Sequence, residues 1–390
     1  MLQGYNLDVI PFMSESANNF AEVSQSESFK TPQPTPLAAF LMTRTPDLAV
    51  SAHEGTLTPS YFDEVRGKAG SEVGDLLTSA AAVDLGWLVR MAVKGEDRTR
   101  WLAGMTTNAV QNLEEGYGNY NLVLNAQGRI QGDLYAFREQ DRLVLETTFA
   151  QVEHLVEHLD RFIIMDDVEL EHLTGTTAVG VIGPAAPAIL GKLGIDVAQM
   201  IPMQQLNATL SGVPVTVVRA YSVLVPRFEI WAEESEISKV WTALLDAGLK
   251  PAGLEALEAL RVAEGIPAYG VDIQEKHLAQ ETSQTRALNF NKGCYLGQEI
   301  VERIRSRANI HRVLRQFELK GQIPAPGAEL TANGKPVGHL SSVATLPIGG
   351  KNRSFAIGEV RTEALAARSD IQYDGGVAIP LETPPDLTPA

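Results

Sequence analysis

The hydrophobic positions follow two different periods along the central part of the chain. Short apolar or alternating stretches predict β-strands at 82–93 (with a turn near Gly86), 120–124, 130–137, 142–148, 178–182, 213–219 and 227–232. Apolar residues that recur every three or four positions predict helices at 96–113, 149–162, 185–193, 235–247 and 254–264. Strands and helices alternate without a regular βαβ period and without a solenoid repeat. The pattern therefore favours an α+β fold.

The pattern changes after about residue 310. Short strands separated by glycine and proline are predicted at 313–319, 335–343, 355–360 and 377–380. This spacing is typical of a small antiparallel β-barrel or sandwich. We therefore expect a core at 56–308, followed at 309–390 by a C-terminal antiparallel β-barrel that ends in a loose tail.

The first 55 residues differ from both later regions. They contain scattered serine and glutamate and a proline-rich piece at 31–36, and proline resists both helix and sheet. We interpret 1–55 as a partly disordered extension with one short helix near 36–43. No lysine or arginine precedes Lys30, so neither a secretory signal nor an arginine-rich transit peptide is expected.

Composition and charge limit the classes of function. The chain is 44% hydrophobic, as in ordinary globular proteins, and no apolar run approaches the ~18 residues of a membrane span. The net charge of −16 argues against generic DNA binding, which needs clustered lysine and arginine. The single cysteine, Cys294, cannot form an intrachain disulfide or a multi-cysteine zinc or iron–sulfur site. We therefore expect a cytoplasmic protein without a membrane partner or a metal site.

The segment 292–299, KGCYLGQE, is the most unusual stretch of the chain. Gly293 and Gly297 let the backbone bend and be approached closely on either side of Cys294. Lys292 lies two residues from the thiol and would favour its thiolate form. The alternative is a turn whose lone cysteine is buried and packs as a small hydrophobic side chain.

This segment resembles the signature of the YgfZ family of folate-binding proteins. The matching residues are Lys292, Gly293, Cys294, Tyr295, Gly297, Gln298 and Glu299. The stretches 181–184 and 260–267 resemble segments of this family and of the related glycine-cleavage T-proteins, the aminomethyltransferases, and the resemblance covers about 75–385. It implies a T-protein-like folate-binding core at 56–308, with interlocked lobes around a central cavity that holds tetrahydrofolate, and a C-terminal barrel.

The resemblance also implies a function. Proteins of this type support the assembly or repair of iron–sulfur clusters in other proteins, with a link to tRNA modification. The expected partners are folate and either iron–sulfur client proteins or the assembly machinery. In this interpretation Cys294, beside Lys292, supplies a thiolate at the mouth of the cavity. Tyr295 either stacks against a flat ligand or forms part of the pocket wall.

The folate contacts of T-proteins can be transferred to two residues. T-proteins have a folate-contacting tyrosine before an Asn-x-x-Gly turn, which Tyr120 matches through the turn at 125–128. They have an acid shortly after that turn which contacts the reactive folate nitrogens, and Asp133 matches it. A carboxylate beside a pterin or an amine can pair with charge or transfer a proton. Arg227 is a third candidate, as a partner of the folate glutamate or of Glu229.

Two positions depart from the T-protein pattern. Val225 stands where T-proteins carry a glutamate that binds the pterin edge, and Leu257 stands where they carry an arginine. A buried polar group left without a partner costs about 1–3 kcal/mol, so these losses weigh against classical aminomethyl transfer. Two alternatives stay open. One is a tetrahydrofolate-dependent aminomethyltransferase or demethylase, which Asp133 favours, and the other is a non-catalytic interaction protein on the same fold.

Overall fold

The structure, a computed structural model, describes residues 31–62, 69–307, 310–348 and 351–387. Residues 1–30 of the predicted extension and 388–390 of the predicted tail lie outside the described residues. None of the helices in the described part has the length and apolar character needed to cross a bilayer.

The secondary structure alternates between strands and helices along the described chain. The strands are β1 (Gln33–Pro34), β2 (Val50–His53), β3 (Thr56–Pro59), β4 (Ala81–Asp84), β5 (Leu88–Lys94), β6 (Gly118–Leu124), β7 (Ile130–Arg138), β8 (Leu143–Thr148), β9 (Glu169–His172), β10 (Thr176–Ile182), β11 (Gln205–Leu210), β12 (Val213–Arg219), β13 (Arg227–Glu233), β14 (Lys250–Ala252), β15 (Arg312–Gly321), β16 (Glu329–Ala332), β17 (Lys335–Ile348), β18 (Lys351–Arg361), β19 (Ile371–Tyr373) and β20 (Gly376–Pro380). The helices are α1 (Pro36–Arg44), α2 (Ala69–Thr78), α3 (Arg98–Met105), α4 (Phe149–Asp160), α5 (Ala186–Lys192), α6 (Ile237–Asp246), α7 (Leu254–Glu264), α8 (Gln298–Arg307) and α9 (Thr362–Ala366). Short 3-10 turns occupy Val110–Asn112, Glu234–Glu236, Ala279–Thr282 and Thr285–Ala287.

Two large sheets form the core. One has six strands in the order β11-β12-β13-β10-β4-β14, and the other has five in the order β6-β7-β8-β5-β9. All neighbouring strands are antiparallel except β14, which runs parallel to β4. Side chains from β7 and β8 of one sheet and from β12 and β13 of the other line one central cavity. The predicted α+β core is confirmed.

The C-terminal strands close into a barrel. Its order is β15-β18-β17-β16-β19-β20, and β20 pairs back with β15, so the predicted antiparallel barrel is confirmed. The barrel is fastened to α7 because Gln316 Nε2 donates to the carbonyls of Val262 at 3.0 Å and Ala263 at 2.6 Å. The barrel and the two large sheets belong to one compact unit.

The predicted extension is wrong for residues 33–55. These residues form the expected short helix, α1, and two strands of a three-stranded sheet of order β1-β3-β2, whose third strand is Thr56–Pro59. The prolines sit where a missing N–H is tolerated, Pro34 on an edge strand and Pro36 at the first position of α1. Thr35 caps α1 by accepting the amide of Ala38 at 3.0 Å, and it also donates to the buried carboxyl of Asp84.

Two further expectations need correction, and two strands were missed. The tail is not loose at 384–387, because Arg353 Nη1 donates to the carbonyl of Asp386 at 2.6 Å and Leu387 packs against the core. The helix predicted at 96–113 ends at Met105, since Thr107 Oγ1 binds the carbonyl of Ala287 at 2.7 Å and draws the chain towards β6. Strands β9 and β11 were not predicted, because their exposed polar residues obscure the apolar period.

Candidate functional site

The central cavity lies between the two large sheets. Its wall includes Asp133 and Tyr135 from β7, Arg227 and Glu229 from β13, and Leu257 from α7. The strand alternation explains this arrangement, since residues two apart on a strand face the same side. The cavity therefore brings together two of the predicted site residues, Asp133 and Arg227.

Asp133 is held firmly in the cavity wall. Its Oδ2 accepts a hydrogen bond from the hydroxyl of Tyr120 at 2.6 Å, and its Oδ1 accepts one from Gln151 Nε2 at 3.0 Å. Burial raises the pKa of Asp133, while both hydrogen bonds oppose that rise by favouring the carboxylate. Such a fixed carboxyl suits binding of an amine or proton exchange with it.

Tyr120 lies beside Asp133 on the neighbouring strand β6. It is buried, and it is not among the residues that form the wall of the cavity. Its ring centroid lies 5.0 Å from that of Tyr135 in a tilted arrangement. Burial raises the pKa of Tyr120 well above its ordinary value, so its hydroxyl stays a donor. Tyr120 therefore does not line the cavity itself. It hydrogen-bonds the carboxyl of Asp133, which does.

Arg286 is a site residue that sequence reasoning missed. Its guanidinium carbon lies 4.0 Å from the ring centroid of Tyr120 and 4.1 Å from that of Tyr221. Both of its terminal nitrogens donate to the hydroxyl of Tyr135 at 3.2 Å. Cation–π contacts of this kind hold aromatic rings in place. Arg286 is half-buried in the 3-10 turn Thr285–Ala287, where no periodic pattern marks it as a site residue.

The hairpin between β2 and β3 contributes two more unpredicted wall residues, His53 and Glu54. Glu54 has φ 48° and Gly55 has φ 81°, as a two-residue type I′ turn requires. Glutamate seldom adopts a positive φ, and here the turn places Glu54 in the cavity wall, to which Thr148 also belongs. Burial raises the pKa of Glu54 and lowers that of His53. Both residues were missed because the sequence placed them in the extension.

A cluster of charged side chains occupies another part of the wall. Glu146 of β8 faces Glu229 of β13 in this wall, and burial together with the negative charge of Glu229 raises the pKa of Glu146. Arg90 donates to Glu146 Oε2 at 2.7 and 3.0 Å, and its guanidinium stacks 4.4 Å from the ring of Trp231. Arg227 Nη2 donates to Glu229 Oε1 at 3.1 Å.

Three buried nitrogen atoms of the cavity wall have no hydrogen-bond partner among the described residues. They are Nε2 of His53, Nε1 of Trp87 and Nε of Arg227. Buried polar atoms without partners are rare in folded proteins and call for an explanation. A flat ligand with polar edges inside the cavity would satisfy them.

Only one of the two apolar departures from the T-protein pattern lies in the cavity wall. Both are buried in the same part of the hydrophobic core, and Leu257 also lines the cavity. The loop before β13 is held by Glu264, whose Oε1 accepts the amides of Val223 at 3.2 Å and Leu224 at 3.1 Å. The carboxylate that organises this loop is therefore supplied by α7.

The motif at 292–299 packs against the end of α3. Lys292 is 8% exposed, and its Nζ donates to the carbonyls of Ala103, at 2.6 Å, and of Thr106. Burial lowers the pKa of Lys292 to about 8. Tyr295 is buried with its ring centroid 4.7 Å from Lys292 Nζ, and burial raises its pKa to about 12. Both buried side chains therefore anchor the loop to the body of the protein.

Cys294 is exposed between these two anchors. The described cavity wall contains Asp133 but neither Cys294 nor Lys292 nor Tyr295. The ammonium of Lys292 binds backbone carbonyls and makes no described contact with the thiol, and its influence on the thiolate stays a prediction. The remaining motif side chains lie at the start of α8, with Gln298 Oε1 3.3 Å from the amide of Tyr295 and Glu299 exposed.

Gly297→Ala is expected to lower the free energy of unfolding by about 2–3 kcal/mol. Gly297 has φ 81°, and a Cβ there would lie 2.7 Å from the carbonyl oxygen of Asn125. Gly293→Ala is the matched control, because a Cβ at Gly293 meets no atom of the described residues within 4 Å. Urea unfolding followed by circular dichroism measures both variants. Equal losses in the two would show that the close approach at Gly297 does not constrain the motif.

Comparisons with known proteins agree with this fold. The family model described as the GCVT N-terminal domain matches residues 49–292. A chloroplastic putative transferase of Arabidopsis thaliana is 28% identical over 287 residues, which cover 72% of this chain and 65% of that protein. The chain thus spans just under two thirds of that relative's length. An aminomethyltransferase of Thermus thermophilus is 26% identical over 268 residues, which cover 68% of this chain and 75% of that protein.

A solved structure has the same fold. The crystal structure of the glycine cleavage system aminomethyltransferase T from Bartonella henselae superposes with a TM-score of 0.82, at 18% identity, over 92% of this chain and 99% of that one. Aminomethyltransferases of the T-protein family use tetrahydrofolate. Because the family model covers more than half of the sequence, the chain belongs to the glycine-cleavage T-protein family.

Proposed function

We propose that this chain is a tetrahydrofolate-binding protein of the YgfZ type that supports the assembly or repair of iron–sulfur clusters in other proteins. The observation that carries the proposal is the exposed thiol of Cys294, held outside the central cavity on a loop anchored by Lys292 and Tyr295. A thiol at the surface is open to a partner protein. We place the protein in the cytoplasm, where the thiol stays reduced. The iron–sulfur proteins that it serves would include proteins that take part in tRNA modification.

The polar groups of the cavity fit tetrahydrofolate. The pterin ring carries both donors and acceptors on its edges, and the wall offers carboxyl groups beside unpartnered nitrogens. Asp133, Tyr135, Arg227 and Glu229 are the residues that would hold it. When bound, tetrahydrofolate supplies the nitrogen atoms that carry a one-carbon unit.

Asp133 has the chemical role in this arrangement. Its two hydrogen bonds to Tyr120 and Gln151 fix the direction of its remaining lone pairs. Burial raises the pKa of Asp133, so the carboxyl exchanges a proton nearer to neutral pH than an ordinary aspartate does. Arg286 holds the rings of Tyr120 and Tyr135 behind it.

A second candidate function is tetrahydrofolate-dependent aminomethyl transfer or demethylation. The position of Asp133 in the cavity wall favours it, and several relatives are named aminomethyltransferases. Val225 and Leu257 weigh against it, because both replace charged residues of the T-protein pattern with apolar ones. In this function the surface thiol of Cys294 would have no part.

Titration of the full chain with tetrahydrofolate tests the first half of the proposal. We expect saturable quenching of tryptophan fluorescence, since Trp87 lines the cavity. Deletion of the protein from its host tests the second half, with an expected fall in the activity of iron–sulfur enzymes. Turnover of an aminomethyl donor would favour the second candidate instead. Absence of tetrahydrofolate binding would leave a non-catalytic interaction protein on the same fold.

A further inference from the structure

Two consecutive apolar side chains project from the loop between α4 and β9. Ile164 is 82% exposed and Met165 is 95% exposed, the highest values among the large hydrophobic side chains that the structure describes. An exposed apolar residue is ordinary when it stands alone, whereas contiguous ones form a patch of the kind that marks interaction sites. The described cavity wall contains neither residue, so the proposed binding of tetrahydrofolate does not account for this pair, which we call the apolar tip.

The backbone on both sides of the apolar tip is fixed. Before the tip, the carbonyl of Phe162 accepts a hydrogen bond from Trp101 Nε1 at 3.1 Å. After the tip, Asp166 Oδ1 accepts a hydrogen bond from Arg100 Nη2 at 2.7 Å. A loop that is already held in place loses little conformational entropy when it binds, and this favours affinity. The apolar tip is therefore presented in a defined position.

Helix α3 holds both the apolar tip and the loop that carries the thiol. Arg100 and Trp101 bind the first of these loops, and the carbonyl of Gly104 accepts the amide of Leu296, in the second, at 2.9 Å. These three helix residues are spaced by three or four positions, so they share one face of α3. The helix has eight residues and is about 12 Å long, whereas a specific interface covers about 800 Å² on each partner, a patch roughly 30 Å across. One partner can therefore cover both the apolar tip and Cys294.

The charges around the apolar tip indicate the chemistry of that partner. Three exposed acidic residues flank it in the sequence, namely Asp160, Asp167 and Glu169. Of the two exposed arginines beside them, Arg161 and Arg100, the second is already paired with carboxylates. A net negative flank around an apolar tip is complementary to an apolar socket with a basic rim, and it disfavours contact with anionic lipid headgroups.

We infer that Ile164 and Met165 anchor the protein partner to which Cys294 presents its thiol, and that this partner has an apolar socket with a basic rim. The inference rests on the proposed function, in which the thiol meets an iron–sulfur client or an assembly protein, and it adds the contact that selects this partner. A single exposed thiol gives little specificity, whereas apolar side chains that are buried at an interface supply affinity in proportion to the area that leaves water.

The single cysteine of the chain allows a cross-linking test on the full protein. A benzophenone maleimide is attached to Cys294, the labelled protein is irradiated in an extract of the host strain that lacks it, and the captured protein is identified by mass spectrometry. Met165→benzoylphenylalanine, in the unlabelled chain, should capture the same partner. Ile164→Ser combined with Met165→Ser should lower the yield from labelled Cys294 at least tenfold, because the apolar area buried by the partner is lost.

Ile323→Ser, an exposed isoleucine in the loop after β15, is the matched control and should keep the wild-type yield. Asp160→Lys should lower the yield at least threefold, because it brings a positive charge against the basic rim. All of these substituted side chains are exposed, and the described cavity wall contains none of them. Circular dichroism and titration with tetrahydrofolate should therefore give the wild-type result for every variant.

An unchanged yield in the double variant would overturn the inference and leave the thiol contact in place. Capture of different proteins from positions 165 and 294, or of none, would overturn it too, and an unchanged yield in Asp160→Lys would overturn the basic rim. Binding of the chain to phosphatidylglycerol vesicles that the double variant loses would make the tip a membrane contact instead. Full activity of iron–sulfur enzymes in a host that carries Cys294→Ser would overturn the proposed function, and this inference with it.

Discussion

Asp133→Asn is expected to weaken tetrahydrofolate binding by about 10- to 100-fold while the fold is retained. Asparagine has the same shape, but it loses the negative charge and turns one acceptor into a donor. Both carboxylate oxygens accept a hydrogen bond, one from Tyr120 and one from Gln151, so the amide nitrogen of asparagine meets one of these donors and also removes an acceptor on the cavity side. Fluorescence titration of both proteins at pH 7 measures the effect.

Asp141→Asn is the control for this prediction, because Asp141 is exposed in the turn between β7 and β8. It should bind tetrahydrofolate as the wild type does. The wild-type affinity should fall on acidification, since protonation removes the carboxylate. Burial raises the pKa of Asp133, so this loss begins at a higher pH than for an ordinary aspartate. It should be smaller in Asp133→Asn, where Glu54 and Glu146 of the same wall, whose pKa values burial also raises, still titrate. Equal affinities at neutral pH would exclude Asp133 from the binding site.

The architecture was predictable where burial alternates regularly along a strand. Residues of β7 alternate between buried and half-buried positions over most of its length, and the same alternation in the sequence predicted the strand. Glycine and proline between short strands likewise predicted the barrel. The small sheet at 33–59 was missed because proline was taken as evidence against structure, whereas here it serves an edge strand and a helix start.

The site was predictable only in part. The turn at 125–128 resembles the Asn-x-x-Gly turn of T-proteins, and this resemblance identified Asp133 and Tyr120 as site residues. In the structure the two residues are joined by a hydrogen bond. Arg90 and Glu146 left no such signal, since they lie 56 residues apart and a charged residue on a strand is ordinarily expected at the surface. Arg286 meets its tyrosines only after folding. Long-range pairs of this kind depend on how two sheets face each other, which periodicity cannot predict.

The motif at 292–299 shows the same limit on a smaller scale. Sequence proximity suggested that Lys292 acts on Cys294, but folding turns its ammonium to the carbonyls of Ala103 and Thr106. Two residues of separation on an irregular loop do not fix the direction of a long side chain. What the sequence indicated correctly was a backbone that requires glycine, at Gly297, where the chain passes close to the carbonyl of Asn125.

Cys294→Ser is expected to reduce the activity of iron–sulfur enzymes in the host to the level of a strain without the protein. Serine keeps the size of the side chain but removes the thiol, and an exposed position leaves the core untouched. The free energy of unfolding should therefore change by less than about 0.5 kcal/mol. The measurements are complementation of the deletion strain and urea unfolding of the purified variant.

The control for this variant is Asn291→Ala, an exposed residue on the same loop that should complement fully. Tetrahydrofolate binding should be unchanged in Cys294→Ser, because Cys294 is not part of the described cavity wall. A variant that binds tetrahydrofolate, folds normally and yet fails to complement would assign the thiol to a partner outside the cavity. Full complementation by Cys294→Ser would instead leave the cavity as the functional centre and favour one-carbon transfer, since the surface thiol would then have no role in the host.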